Sequence, residues 1–340
     1  MTRKIIKAMV LSALLIPMGC KKDYLTRDPY GILNQSEYFK TDGAGLKLLT
    51  SCYQPMSDSW GYTINKVAIG DEVVDNAGAG GSDPGDRPQT TEVGRGRPLA
   101  SNALLFETWS NRFGGIGKCN IALDGFEKEG ANLIQDGKPV SAETVKRYIA
   151  EVKFLRAWYY FDLITVFKEV PLIIQIEVPS SRKEKASLAE LKAQVYKDLD
   201  EAIAETNLPR GNAFKSDEAG RVSKDAALAL KARAALFFAG LIEQNILTGD
   251  AKAEYTLARN AAGDIVKNSG LSLLADFQDL FRGDYQVGPF SKENILGVLR
   301  KYDPAFGLGG DSFAIMNVGR NNVGGWGGNT PTKDLAASFD

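Results

Sequence analysis

The sequence predicts a mostly α-helical fold in which helix pairs stack into a superhelix, with long irregular glycine-rich loops between them. Three observations predict it. Six stretches carry apolar residues at helical spacing. One pattern recurs, since Arg156-Ala157 followed by Tyr160-Phe161 returns 77 positions later as Arg233-Ala234 followed by Phe237-Phe238. Two long segments are rich in glycine and have no apolar period. The offset lies close to two tetratricopeptide units of roughly 34 residues, each a helix pair.

Taken in order, the chain opens on an address. Arg3, Lys4 and Lys7 precede an apolar stretch from Ala8 to Pro17 and then Met18-Gly19-Cys20. This is the layout of a secretory signal peptide over residues 1–19, too short to span a bilayer. A cysteine after a small residue at that point resembles a lipobox, so Cys20 is the expected lipidation site and residues 20–35 a lipidated tether. Several acyl chains anchor a protein stably on a membrane surface. Pro17 stands where lipoboxes usually carry Leu, with Ile16 one place earlier.

The helices follow. Leu46, Leu49, Tyr53 and Met56 mark the first, after Ser36-Glu37-Tyr38-Phe39. Trp109, Phe113, Ile116, Asn120 and Leu123 mark the second. Val145, Tyr148, Val152, Leu155, Tyr159 and Leu163 mark a long third, stopped by Pro171. Ser187 and Glu190 form a capping box for the fourth, with stripe Leu188, Leu191, Val195, Leu199 and Ile203. Ser223 caps the fifth, through Leu230, Ala234, Phe237 and Leu241. Tyr255, Ala258, Ala262 and Ile265 line the sixth, which Gly270 closes. The loops are Ala77 to Ala100, with six Gly and three Pro, and Gly307 to Gly328, with eight Gly in 22 residues. Loops of such length in a compact domain are functional or disordered.

Composition narrows the chemistry. The 340 residues contain no His, which removes Ser-His-Asp and Cys-His nucleophiles and the HExxH zinc helix. Lys plus Arg is 41 against 42 for Asp plus Glu, so no global field draws nucleic acid, and basic residues do not cluster with aromatics. Gly114-Gly115-Ile116-Gly117-Lys118-Cys119 fails as a phosphate loop because Arg112 and Cys119 occupy positions that need Gly and Ser or Thr. The acidic run Asp71, Glu72, Asp75, Asp83 and Asp86 lacks the order of an EF-hand. No cofactor and no metal site are expected. In an exported chain Cys52 and Cys119 either pair or remain two buried thiols.

Several motifs together carry a resemblance. They are Cys20 with Tyr24-Leu25, Tyr38-Phe39-Lys40-Thr41, and Trp109 leading to Ile116, Asn120 and Leu123. The strongest is Glu151-Val152-Lys153-Phe154-Leu155-Arg156-Ala157-Trp158-Tyr159-Tyr160-Phe161-Asp162-Leu163, with Phe167 and Val170-Pro171-Leu172 behind it. Gly220-Arg221-Val222-Ser223, Lys231-Ala232-Arg233, Ser269-Gly270-Leu271-Ser272-Leu273 before Phe277 to Phe281, and Pro331-Thr332 with Leu335 and Phe339 agree. The chain resembles the SusD/RagB family of surface lipoproteins over its whole length. Lys168-Glu169 replace the family's usual Gly-Asp. Family members continue well beyond the position of Asp340, so residues 36–340 are expected to be a SusD-like helical domain without its carboxyl-terminal part.

The resemblance implies a tetratricopeptide-like scaffold on the outer face of the outer membrane. It also implies a TonB-dependent (SusC-like) transporter barrel as partner, and capture of a glycan or other nutrient without turnover. Sugars are held by exposed aromatic faces with carboxylates, amides or Arg groups on the hydroxyls. Trp60 and Tyr62 beside Gly61, and Trp326 within a glycine run, are the candidate aromatics, with Asp71, Asp75, Asn76 and Arg87 as polar partners. Packing under a further segment is the competing role for Trp60 and Trp326. Two other functions fit the composition. One is a helical-repeat adaptor that binds only the transporter or another protein, and the other a surface glycosidase built on paired carboxylates.

Overall fold

The computed structural model describes residues 35–74, 76–81, 83, 85–177, 182–211, 218–281, 292–299 and 325–339. The expectations placed on residues 1–19, on Cys20 and the tether through residue 34, and on Asp75 lie outside them. Two helices, α1 (Gln35–Phe39) and α2 (Ala44–Ser57), are followed by a π-helical turn, Ser59–Ile64, and α3 (Asn65–Asp71). After β1 (Ala77–Ala79) and α4 (Pro88–Gly94) comes α5 (Ala103–Glu129). A hairpin of β2 (Ile134–Gln135) and β3 (Lys138–Pro139) leads to α6 (Ala142–Phe167). Then follow α7 (Leu188–Ala204), α8 (Lys224–Glu243), α9 (Ala251–Asn268), β4 (Asn329–Pro331) and α10 (Lys333–Ala337).

The six expected helices are α2 and α5 to α9, and their ends have the chemistry that the sequence displays. Ser187 accepts the Glu190 amide and Glu190 accepts the Ser187 amide, a complete capping box on α7. Ser223 accepts the Ala226 amide and starts α8, and Ser141 accepts the Thr144 amide and starts α6. Gly270 takes φ 71° just past α9. Each long helix packs on its neighbour in sequence, α5 on α6, α6 on α7, α7 on α8 and α8 on α9. That is the connectivity of stacked helix pairs.

The core is centred on α6. Val152, Phe154, Leu155, Ala157, Tyr159, Tyr160, Leu163 and Ile164 are wholly buried, so this helix is covered on nearly every side. Each large side chain so buried contributes about 1.5–3 kcal/mol. Ala157 and Ala234, the small residues of the repeated pattern, are both wholly buried and let neighbouring helices approach. The repeat does not extend to their Arg neighbours, since Arg156 is buried and Arg233 exposed.

Two expectations need correction. The stretch from Ala77 to Ala100 is not simply irregular, for it holds β1 and α4. Pro88 opens α4 at a position where its missing N–H costs nothing, and Thr90 and Val93 face inward. On α9 the buried face is Glu254, Ala258 and Ala261, while Tyr255 stands exposed. Tyr196 of α7 donates to the Glu254 carboxylate, which turns the face by one position. Among the described residues no helix is long and apolar enough to cross a membrane.

Candidate functional site

The site begins with a strand pairing that joins distant parts of the chain. β1 and β4 pair antiparallel, with Ala77 opposite Pro331, Gly78 opposite Thr330 and Ala79 opposite Asn329. The ladder continues through Gly80 N–H to the Gly328 carbonyl at 3.0 Å and Gly81 N–H to Gly327 at 2.8 Å. A Cβ at Gly80 would lie 1.8 Å from the Gly327 oxygen, so the glycines of the two segments permit this approach. The Thr332 amide donates to the Asn76 carbonyl at 2.9 Å and closes the other end.

This ribbon gathers four of the candidate residues. Trp326 enters it half-exposed between buried Gly325 and Gly327. Arg87, at the start of α4, donates to the Gly328 carbonyl at 3.4 Å. Asp71, at the end of α3, accepts from the Asn329 side-chain amide at 3.3 Å. Asp71, Asn76, Ala77, Asn329, Pro331 and Leu335 line a cleft of about 270 Å³. A face, a guanidinium, a carboxylate and an amide therefore stand on or against one ribbon, groups of the kinds that suit a hydroxyl-rich ring.

Trp60 and Tyr62 part company. The Asp58 carboxylate accepts the Trp60 and Gly61 amides at 3.0 and 3.1 Å and caps the π-helical turn. Trp60 is left 50% exposed, whereas Tyr62 is 6% exposed and points into the fold. The Arg112 guanidinium lies 4.3 Å from the Tyr62 ring centre, and the Trp158 indole N–H donates to its hydroxyl. Lys66 pairs with Asp162 at 2.7 Å beside both rings. Burial, then the Asp162 carboxylate, pushes the Tyr62 phenol well above its ordinary range. The expectation that Tyr62 offers an exposed face is thus corrected, because the turn carries alternate aromatics to opposite sides. Trp60 lies in the turn before α3 and the ribbon meets the far end of that helix at Asp71, with the seven residues of α3, about 10 Å of rise, between them.

Glu72 is the residue whose setting the sequence conceals. It stands in an acidic run without the order of an EF-hand, yet it is 4% exposed and neither carboxylate oxygen finds a hydrogen-bond partner. Burial raises its carboxyl to about 7 against the pull of Arg87, and Asp71 adds to the rise. Among the described residues no group of three or more Asp, Glu or Cys side chains is arranged to hold a metal ion. A larger cleft, about 420 Å³, lies elsewhere, between α2 and residues 219–221 and 296–299, with Leu46, Leu49, Met56 and Leu299 in its wall. It offers few polar groups to a sugar.

Residues 97–236 match the SusD-like family model described as starch-binding, associating with the outer membrane. A SusD-like protein of Bacteroides ovatus is 23% identical over 283 residues, 81% of this chain and 46% of the relative. SusD-like protein P2 of Formosa agariphila is 26% identical over 291 residues, 83% of this chain and 50% of the relative. The chain is SusD/RagB-like. It spans about half the length of these curated relatives. A SusD-like carbohydrate-binding protein from Bacteroides fragilis superimposes with a TM-score of 0.68 at 25% identity, covering 88% of this chain and 53% of that one. A laminarin-binding SusD-like protein shares the fold with a TM-score of 0.73 at 23% identity over 87% of this chain and 63% of its own. The stacked helix pairs of this SusD-like chain are those of solved relatives.

Proposed function

We propose that this SusD-like chain is an outer-membrane surface lipoprotein, anchored through Cys20, that binds a glycan and delivers it to a TonB-dependent transporter barrel without turning it over. The observation that carries the binding role is the β1–β4 ribbon, which leaves Trp326 half-exposed at one end, bonds to Arg87 and Asp71 along its length, and has Asp71 and Asn76 in the wall of a cleft at the other end. An aromatic ring takes the apolar C–H face of a sugar while the polar groups take its hydroxyls, and such a surface needs no histidine. Names of relatives that bind carbohydrate or laminarin agree with a glycan ligand. The signal layout before Cys20 supports the anchor.

The test is affinity electrophoresis and calorimetry on the full-length protein across a panel of bacterial, plant and algal glycans. Binding to at least one glycan, weakened by Trp326→Ala and without release of reducing sugar, is the expected result. No binding across the panel overturns the glycan role. Release of reducing sugar abolished by a single carboxylate substitution favours a glycosidase. A pull-down that recovers the barrel from outer membranes, with no glycan effect on stability, favours an adaptor. Labelling with a radioactive fatty acid that is lost in Cys20→Ser tests the anchor.

A further inference from the structure

Cys52 on α2 and Cys119 on α5 are both wholly buried in the main core and both are free thiols. They lie on the two helices that pack along the α2–α5 seam. Burial, then the neighbouring Cys52 thiol, pushes the Cys119 thiol well above the ordinary range. Tyr159 of α6 locates the pair. Its hydroxyl donates to the Cys52 carbonyl at 2.7 Å, and its ring lies against Gly115, one turn before Cys119 on α5. The Cys52 thiol also points to the Leu48 carbonyl, 3.5 Å away.

We propose that Cys52 and Cys119 are a disulfide-forming pair that closes while the chain folds in an oxidising medium and staples α2 to α5. Burial dictates the timing. A wholly buried thiol with little thiolate character exchanges slowly, so the bond forms before the core closes and is shielded afterwards. The oxidant is a small or protein disulfide, such as glutathione disulfide or a thiol-disulfide oxidoreductase. One cysteine thiolate attacks a sulfur of the oxidant and releases the first thiol as a mixed disulfide forms. The second cysteine then displaces the remaining thiol and makes the Cys52–Cys119 bond. Two cysteine hydrogens pass to the oxidant, whose disulfide becomes two thiols. An S–S bond of about 2.05 Å is shorter than any non-bonded sulfur contact, so pairing draws α2 toward α5.

The test uses the full chain in two settings, exported to a bacterial periplasm and refolded from denaturant in glutathione buffer, oxidising or reducing. Free thiols are trapped with iodoacetamide under denaturing, non-reducing conditions before tryptic digestion. The expected product links the peptide of residues 48–66 to that of residues 119–128, is lighter by two hydrogens than their sum, and vanishes with reductant. The oxidised form is expected to unfold at higher temperature than the reduced one. Recovery of both peptides as separately alkylated species after oxidising refolding overturns the proposal, as does a product in which Cys20 is linked instead. The refolding arm involves neither glycan nor membrane, so its result stands apart from that of the glycan panel.

Discussion

Arg156 grips Asp198 side-on, with Nε donating to Oδ2 at 2.8 Å and Nη2 to Oδ1 at 2.7 Å, where α6 meets α7 in the core. Its third nitrogen reaches the Asn120 side-chain oxygen on α5 at 3.0 Å and the Ile174 carbonyl at 3.2 Å. Asn120 in turn donates to the carbonyls of Ile173 and Gln175. One guanidinium thus ties three helices, α5, α6 and α7, and the loop after α6 together.

Removal of one partner leaves a charge in the core without its counterpart. Asp198→Ala is expected to lower the unfolding free energy by about 3–5 kcal/mol, measured by urea denaturation. Arg156→Lys keeps the charge but not the fork, and is expected to be destabilising too. Arg233→Ala, at the repeat-equivalent position, is expected to fall within about 0.5 kcal/mol because that side chain is exposed.

Glu72 gives the protein a pH dependence of defined sign. Its carboxyl is raised in the folded chain to about 7 from an ordinary 4.5, so the native state holds a proton that the unfolded chain releases between those values. Its contribution is therefore fully present below pH 4.5 and is lost as pH rises through 7, by about 3 kcal/mol in all. Glu72→Gln is expected to flatten this slope. Urea midpoints of the two proteins at pH 5 and pH 8 check it, the variant gaining on the wild type at the higher pH.

Trp326→Ala is expected to weaken glycan binding about tenfold or more, which corresponds to about 1.4 kcal/mol, with little change in stability. Tyr62→Phe is expected to do the reverse, leaving affinity unchanged while the lost bond from Trp158 costs about 1 kcal/mol. Calorimetry and thermal unfolding on both variants separate the two roles.

Gly115→Ala is expected to destabilise the α5–α6 contact by about 1–3 kcal/mol, since the added methyl would sit 2.5 Å from the Tyr159 ring. Denaturant unfolding gives the size. The same substitution at Gly114, which has open space around it, is expected to be tolerated and serves as the control.

What was legible in the sequence was local. Capping residues such as Ser187 with Glu190, and apolar stripes such as that of α6, act within a few turns and so announced the helices directly. α4 escaped because only Thr90 and Val93 of its seven residues are buried, too few to make a period. The separation of Trp60 from Tyr62 depends on a π-helical turn that no pattern of residue types announced. The ribbon was invisible as a pairing because its partners are far apart in the chain, although the glycines on both sides were plain to see. Glu72 has only its acidic run to mark it in the sequence, and the packing of α3 against α4 sets it apart.

The separation of those partners has a kinetic consequence. Gly78 and Thr330 meet across 252 residues, joined by a ribbon three residue pairs long. A contact of such high order is entropically late, because closing the intervening chain gains little until the helices between are stacked. So small a ladder is also the first to open from the native side. Its amides are expected to exchange with solvent well before those of α6, so the surface proposed to meet the ligand is expected to be the last part of the fold to form and the easiest to loosen.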